Sequence, residues 1–418
     1  MNERARLVRR IGLGGALLLS FNSVVGSGIF ALPATLAGQL GAFSPYIFPL
    51  AGLLLLLIAV PYARAVAAFE GNGGPAAHGA AFGRLAGFEL GWVYYVSRAA
   101  AFAANAVVLA AYAARWWAPL GSGIGRASLI LIMVGALTMI NIAGVRRSLR
   151  LLAGLTLLKA LPLIVLAIAA LVLNGLPAPG PLPQFGEFEG TLLLALYAFI
   201  GFENSTATAG ETVAPRATIP RALIATVAAT AALFFLVQLA FVAGLPNGAS
   251  DHTAPLLDLG AAVAGPTGAA IITFAALASL AGNLHSNLAA TPRVTQAMGE
   301  RGDLPAWFGA ISPRFATPAN SIAFLGLLAA ALALSGGFVW LAVVSTLSRI
   351  VVYGVTVATL LRGGVGAAWL ILALAAVAAC LWLAAQAEPI AWITLGGLAA
   401  AGLILYAFSA SRRRAECA

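Results

Sequence analysis

The sequence predicts an all-α polytopic membrane protein of about twelve transmembrane helices, and three observations carry that prediction. Hydrophobic residues make up 61% of the chain and charged residues 9%, whereas an ordinary soluble domain carries about 25% charged residues. Long apolar runs recur from end to end, separated by Gly, Pro and charged residues. The first and sixth of these runs are interrupted at mid-depth by glycine and polar residues. At about 20 apolar residues per crossing, 418 residues hold roughly ten to thirteen spans.

Taken in order, the apolar runs place spans near 11–36, 43–68, 88–117, 127–145, 151–174, 191–210, 221–244, 267–296, 320–335, 338–361, 366–385 and 389–410. The longest loops, 69–87, 175–190, 245–266 and 297–319, leave no room for a soluble domain, so residues 1–418 read as a single transmembrane domain. The glycine-rich loop that begins at Glu70 has no Gly-Lys-Ser/Thr after it. That argues against nucleotide binding and ATP-driven transport by this chain.

A net charge of +10 would suggest a nucleic-acid partner in a soluble protein. Here the arginines sit at helix ends, as the positive-inside rule describes, and no nucleic acid is expected. With the N-terminus inside, that side receives Arg4, Arg6, Arg9, Arg10, Arg64, Arg84, Arg146, Arg147, Arg150, Arg216, Arg221, Arg293, Arg301, Arg314, Arg362 and Arg412 to Arg414. The opposite side receives Arg115 and Arg126, while Arg98, Lys159 and Arg349 fall inside spans. Both termini are therefore expected in the cytoplasm, with the chain in a bacterial-type cytoplasmic (inner) membrane. The basic start runs into a full-length span without a cleavage site, so the first helix is read as retained. Cys380 in a late span and Cys417 in the tail are poor disulfide partners, and no metal-ligand cluster stands out.

The first interruption spans residues 22–35, with Gly26, Ser27 and Gly28 at its centre. A broken helix at membrane depth bares N–H and C=O groups, which hydrocarbon tolerates only where they meet protein, water or a ligand. With the second half-helix starting near Ile29, the amides of Ser27 and Gly28 would face a carboxylate with the positive end of a helix dipole. Carbonyls near Val24 and Val25 would suit an ammonium, so the two ends together describe a receptor for a zwitterion. The alternative is a glycine pair that merely lets helices pack closely.

The sixth span carries Phe199-Ile-Gly-Phe-Glu-Asn-Ser-Thr-Ala-Thr-Ala-Gly-Glu, with Gly201, Glu203, Asn204, Ser205, Thr206 and Thr208 where bilayer core is expected. Broken helices five spans apart, in halves of opposite orientation, point to an inverted repeat. Residues 11–174 form its first half, 191–361 its second, and 366–410 two appended helices.

Gly26-Ser-Gly-Ile-Phe followed by Leu32-Pro33, the loop Gly73-Gly74-Pro75, and Gly210-Glu211-Thr-Val-Ala-Pro215-Arg-Ala-Thr-Ile-Pro220-Arg-Ala resemble the amino acid, polyamine and organocation (APC) superfamily of permeases. The resemblance covers roughly residues 10–360 in consistent order. It implies the broken-helix (LeuT-like) fold and proton-coupled or exchange transport of amino acids or related amines. Within it, Tyr197-Ala-Phe-Ile-Gly-Phe-Glu looks like the gate segment of arginine/agmatine exchangers, with Tyr197 where those carry tryptophan. The length and the polar eighth span are also similar to bacterial neutral amino acid exporters.

Charges within spans need partners and are functional candidates. Lys159 is the only lysine of the chain, and a desolvated lysine can lose its proton whereas arginine effectively cannot. The resemblance implies that Lys159 bridges the broken first helix to span eight and could exchange a proton. The alternative is a side chain snorkelling to the cytoplasm. Glu203 is either a gate or proton carrier, as the resemblance implies, or half of a structural ion pair with Arg349, which lies at similar depth in span ten. Arg98, nearer the cytoplasmic end of span three, is expected to snorkel or pair with a loop acid. Asn105 and Asn283 sit at middle depth, suited either to a substrate side chain or to a helix-to-helix hydrogen bond. Tyr197 and Phe199 are candidates for an aromatic lid over the ligand, although aromatics in spans usually serve packing, and Ile200 is a candidate substrate-binding residue. His285 and Asn287 are candidates for the cytoplasmic path, with packing the expected role for His285.

The reading is a secondary transporter of small neutral amino acids, embedded in lipid, working by alternating access and by proton coupling or exchange. No cofactor is expected, with a proton as the possible coupling ion. The alternative is a cationic amino acid or amine antiporter of arginine/agmatine type. An intramembrane enzyme lacks a His-Glu-x-x-His motif or a glycine-flanked nucleophile with an evident base, and a channel lacks a pore-lining charge repeat. Neutral substrates follow from charge balance: Arg98, Lys159 and Arg349 face one clear mid-span anion, Glu203. A further buried cation without a carboxylate costs several kcal/mol. Which amino acid, the direction of transport, and monomer or homodimer all stay open.

Overall fold

The computed structural model describes residues 11–68, 74–144, 149–204, 212–246 and 254–416. In chain order its helices are α1 (Leu13–Val24), α2 (Ser27–Leu40), α3 (Ile47–Ala68), α4 (Gly74–Gly79), α5 (Arg84–Ala114), α6 (Gly123–Ala143), α7 (Leu149–Asn174) and α8 (Phe185–Tyr197). The second half holds α9 (Pro215–Gly244), α10 (Pro255–Ala290), α11 (Pro292–Glu300), α12 (Ala306–Gly309), α13 (Ala319–Ser335), α14 (Phe338–Ala358), α15 (Ala367–Ala385) and α16 (Pro389–Glu416). Every apolar run of the sequence holds a helix. Among the described residues, ten helical stretches are long and apolar enough to cross a membrane, beside two shorter apolar helices, α1 and α13. The only strand-like pairing described is an isolated bridge between Ile11 and Thr212.

The helix α5 forms the axis of the bundle. It is buried along 83% of its most apolar window, against 11% for α6 and 17% for α16. Its run of Ala99, Ala100, Ala101, Ala103, Ala104 and Ala106 lets neighbours approach closely, as small residues do where lipid offers no hydrophobic drive to helix association. The peripheral α6, α15 and α16 expose Ile132, Met139, Ile371, Leu381, Ile393 and Ile404 on the outer surface, a face suited to acyl chains. Against α5 pack α14, α10 and α13, while α9 lies against α1, α3 and α7.

Several boundaries differ from the sequence reading. The segment 245–266, read as a loop, already contains the first turns of α10, because the break before span eight lies only at Ala264 and Gly265. Helix α8 begins at Phe185, inside another expected loop, and ends at Tyr197, so the sixth span unwinds earlier than Glu203. Outside the described residues lie Arg4, Arg6, Arg9, Arg10, the Glu70 loop through Gly73, Arg146, Arg147, Ser205, Thr206, Thr208, the Gly210–Glu211 pair and Cys417.

After Tyr197 the chain continues in tight turns: Ala198, Phe199 and Ile200 donate their amides to the carbonyls of Ala195, Leu196 and Tyr197. At Gly201 φ is +113°, and an added Cβ would lie 2.8 Å from the Ser23 carbonyl oxygen. Glycine is required there for both backbone conformation and close approach. Gly201→Ala is therefore expected to destabilise the protein by about 1–3 kcal/mol. Thermal unfolding of the purified protein checks this, with Gly135→Ala, whose Cβ meets nothing within 4 Å, expected to leave the transition in place.

Candidate functional site

The first span breaks between α1 and α2, at Val25 and Gly26, one residue earlier than the Gly26–Gly28 centre read from the sequence. Gly26 has a φ of −132°, which any residue adopts, so conformation does not explain the glycine. Neighbours do: a Cβ there would sit 2.9 Å from Asn105 Oδ1 and 3.1 Å from Asn283 Nδ2. At Gly28 a Cβ would lie 2.9 Å from the Ala198 Cα, so this position serves close packing of the two broken spans. Both glycines thus permit close approach, Gly26 of side chains and Gly28 of backbone.

Several backbone groups bared at the break meet side chains. The Ser27 amide donates to Asn105 Oδ1 at 2.9 Å, and Asn105 Nδ2 in turn donates to the Ala101 carbonyl at 2.7 Å. Asn283 Nδ2 donates to the Ser23 carbonyl at 3.0 Å. Lys159 Nζ donates to the carbonyls of Asn22 at 2.6 Å and Val25 at 3.1 Å. The Ser279 hydroxyl donates to the same Val25 carbonyl at 3.2 Å. Lys159 is buried, 2% exposed, and therefore does not snorkel. It reaches α10 through that shared carbonyl. The Ser27 hydroxyl and Tyr197 hydroxyl share a 2.6 Å hydrogen bond that joins the two broken spans. Val24 and Ile29 flank the break as buried core residues.

The Phe199 ring is not among the groups that meet this break. The Phe199 ring packs against Phe234, with centroids 6.3 Å apart, and against Gly52 of α3. Ile200 lines a small void beside Arg349 and Tyr353. Tyr197 packs edge-on against Phe338, with centroids 5.6 Å apart.

A second polar cluster lies on the far side of the sixth-span turn. Glu203 and Arg349, both buried, form an ion pair. Glu203 Oε2 also accepts from the Tyr353 hydroxyl at 3.0 Å and the Gly201 amide at 3.1 Å. Arg349 Nε donates to the Ser97 hydroxyl at 2.5 Å, and the guanidinium lies 4.9 Å over the Tyr94 ring. Glu203 is thus paired with Arg349 across the two spans. Arg98 departs from expectation: it is 7% exposed and donates to Thr291 Oγ1 at 3.1 Å and Asn204 Oδ1 at 3.2 Å, neither of them a loop acid. Asn204 Nδ2 donates to the Ser23 hydroxyl at 2.5 Å, and Asn287 Nδ2 donates to the Arg98 carbonyl at 3.0 Å. His285 faces Asn141 of α6, with 3.0 Å between Nδ1 and Nδ2, a packing position.

Sequence reasoning missed Ser97, Ser279, Tyr353 and Thr291. Two of them carried a signal: Ser279 lies four residues before Asn283, and Tyr353 four residues after Arg349, so each shares a helix face with its neighbour. Among the described residues, no group of three His, Cys, Asp or Glu side chains converges as a metal site would require.

Two broken helices held together at mid-depth inside a many-helix bundle define a membrane transporter of the discontinuous-helix kind. The amino acid permease family model matches residues 11–408, and the chain belongs to that family. It is 30% identical over 339 residues to an uncharacterized transporter of Mycobacterium bovis, covering 78% of this chain and 74% of the relative. An uncharacterized transporter of Mycobacterium tuberculosis is 28% identical over 341 residues, covering 72% of this chain and 69% of the relative.

Glu203→Gln leaves the Arg349 guanidinium buried without a carboxylate and is expected to cost about 3–5 kcal/mol. Glu203→Gln combined with Arg349→Met removes both charges and is expected to recover most of that loss. A double-mutant cycle on thermal unfolding measures the coupling, and a double variant no more stable than Glu203→Gln would disprove it.

Proposed function

We propose that the protein is a secondary active transporter of small neutral amino acids, working by alternating access and by proton coupling or exchange. On the arginine asymmetry, it lies in a bacterial cytoplasmic membrane with both termini inside. The observation that carries the substrate class is the pair of contacts at the first break. Asn105 Oδ1 sits on the Ser27 amide as a substrate carboxylate oxygen would, and the Lys159 ammonium sits on the Asn22 and Val25 carbonyls as a substrate ammonium would. A zwitterion offers the same two charges to the same ends of the broken helix.

Binding then requires Asn105 to turn off the Ser27 amide, releasing it to the carboxylate. Asn283 and Tyr197, bonded to Ser23 and Ser27, lie next to the space that opens. A cationic side chain would need an acidic partner, and the carboxylate of Glu203 is already engaged by Arg349, Tyr353 and Gly201. The first and sixth spans are tied through Ser27–Tyr197 and Ser23–Asn204, which supports their moving as one bundle against the remaining helices. In this reading, the halves 11–174 and 191–361 are the two inverted repeats. Lys159 holds the bundle through carbonyls alone, so loss of its proton would weaken that tie and couple it to transport.

Alanine, serine, leucine and methionine are expected to displace a bound tracer from the purified protein far better than arginine or agmatine. The reverse order would overturn the neutral-substrate reading. Asn105→Ala is expected to change affinity by about tenfold, the net worth of one hydrogen bond to a charged group, with the fold kept. Lys159→Ala is expected to insert normally but to lose coupled uptake and its pH dependence in proteoliposomes. Wild-type rates and pH profile in that variant would remove Lys159 from the coupling step.

A further inference from the structure

Away from the break, a cavity of about 740 Å³ opens between α3, the start of α9, the 3₁₀ turn Thr359–Arg362 after α14, and the start of α15. Three arginines line it, Arg64, Arg216 and Arg362, brought together from segments far apart in the chain. None of the described lining residues is acidic. Trp369, Ile224 and Leu360 form part of the remaining, largely apolar wall.

Arginines placed only to satisfy the positive-inside rule would extend separately into water. Here two of them are held in position. Arg64 lies 5.5 Å over the Trp369 ring. Arg362 lies 5.0 Å over the Phe82 ring and donates through Nη1 to the Ala81 carbonyl at 2.8 Å. A guanidinium held over an aromatic ring keeps its N–H fork free for the bidentate hydrogen bonds that grip a phosphate. Arg64 and Arg362 bring like charges to one cavity, and an anion placed between them offsets their repulsion.

The surroundings distinguish between anions. Ile224 lines the cavity and is also exposed, and Leu370, Ile371 and Leu374 of α15 are exposed close by in the chain to Trp369. The arginines therefore adjoin the apolar perimeter, where acyl chains run. On the arginine asymmetry the cavity faces the cytoplasmic leaflet, where basic pockets between transmembrane helices hold anionic headgroups.

We propose that this cavity binds the phosphodiester headgroup of an anionic phospholipid, with its acyl chains along α9 and α15. Arg64 and Arg362 grip the phosphate with Arg216 beside them, and Trp369 closes the interfacial wall. A lipid held there ties the appended α15 to α3 and to the start of α9.

Native mass spectrometry of the full chain, with phosphatidylglycerol and phosphatidylcholine of identical acyl chains in equal amounts, tests the site. Selective retention of phosphatidylglycerol by the wild type, falling as salt is raised, is expected. Arg64→Gln with Arg362→Gln is expected to weaken that retention by about tenfold or more, and Arg126→Gln, outside the cavity, to leave it unchanged. Equal retention of the two lipids by the wild type overturns the proposal, whether or not the double variant folds. Undiminished phosphatidylglycerol retention in a monodisperse double variant overturns it as well. Thermal stabilisation of the wild type by soluble glycerol phosphate equal to that by phosphatidylglycerol overturns the lipid assignment in favour of a free anion.

Discussion

The structure depends on one constraint: backbone polar groups inside a membrane cannot be left bare. Breaking the first span at Val25 and Gly26 releases amides and carbonyls in the centre of the bundle, and three different helices send side chains to meet them. Lys159 comes from α7, Ser279 and Asn283 from α10, and Asn105 from α5. The break is thereby the point at which the bundle is knitted together. In the proposed binding mode the same partners are exchanged for a ligand's charges, so stability and binding draw on one set of groups. This explains why the contacts are individually modest, single neutral or charge-assisted hydrogen bonds worth about 1–3 kcal/mol each. A site sealed more firmly would not open.

The second cluster behaves differently. Glu203 and Arg349 form a buried ion pair whose remaining valences are filled by Tyr353, Gly201 and Ser97. Buried pairs add little net stability compared with an apolar replacement, but either partner left alone is costly. Such a pair specifies position more than it adds strength. Here it locks the sixth-span turn to α14 and α5, while the turn's other side carries Tyr197 to Ser27. The same turn is therefore bonded on two faces, about six residues apart in sequence, by Tyr197 to Ser27 and by Glu203 to Arg349.

Between the two clusters runs a polar chain, Ser23 to Asn204 to Arg98 to Thr291, ending at Asn287. It closes the bundle on the side where the sequence places the cytoplasm, and it does so without any carboxylate. Neutral partners leave Arg98 its charge, so this layer can separate without stranding a buried anion. That suits a contact made and broken in each transport cycle better than a salt bridge would.

Much of this was legible in the chain itself. Hydropathy alone determined an all-helical membrane protein, because hydrocarbon admits only helices and closed barrels, and runs of about 20 apolar residues fit helices whereas barrel strands take about ten alternating residues. The interruptions at Gly26 and after Tyr197 were readable because glycine and polar residues are conspicuous in an apolar run, and the lone Lys159 was conspicuous for the same reason. Tertiary structure alone decided which partner each group took. Sequence placed Glu203 and Arg349 at similar depth but could not choose between an ion pair and a gate, and it sent Arg98 to a loop acid when Thr291 and Asn204 were closer. It also assigned Phe199 to a lid, whereas the tight turn after Tyr197 rotates that ring towards α3 and α9. Depth along a helix follows from counting residues, but azimuth around a broken helix depends on how its two halves are rejoined. That rejoining is set by close approaches such as Gly28 to Ala198 and Gly201 to Ser23, which exist only once the bundle has packed.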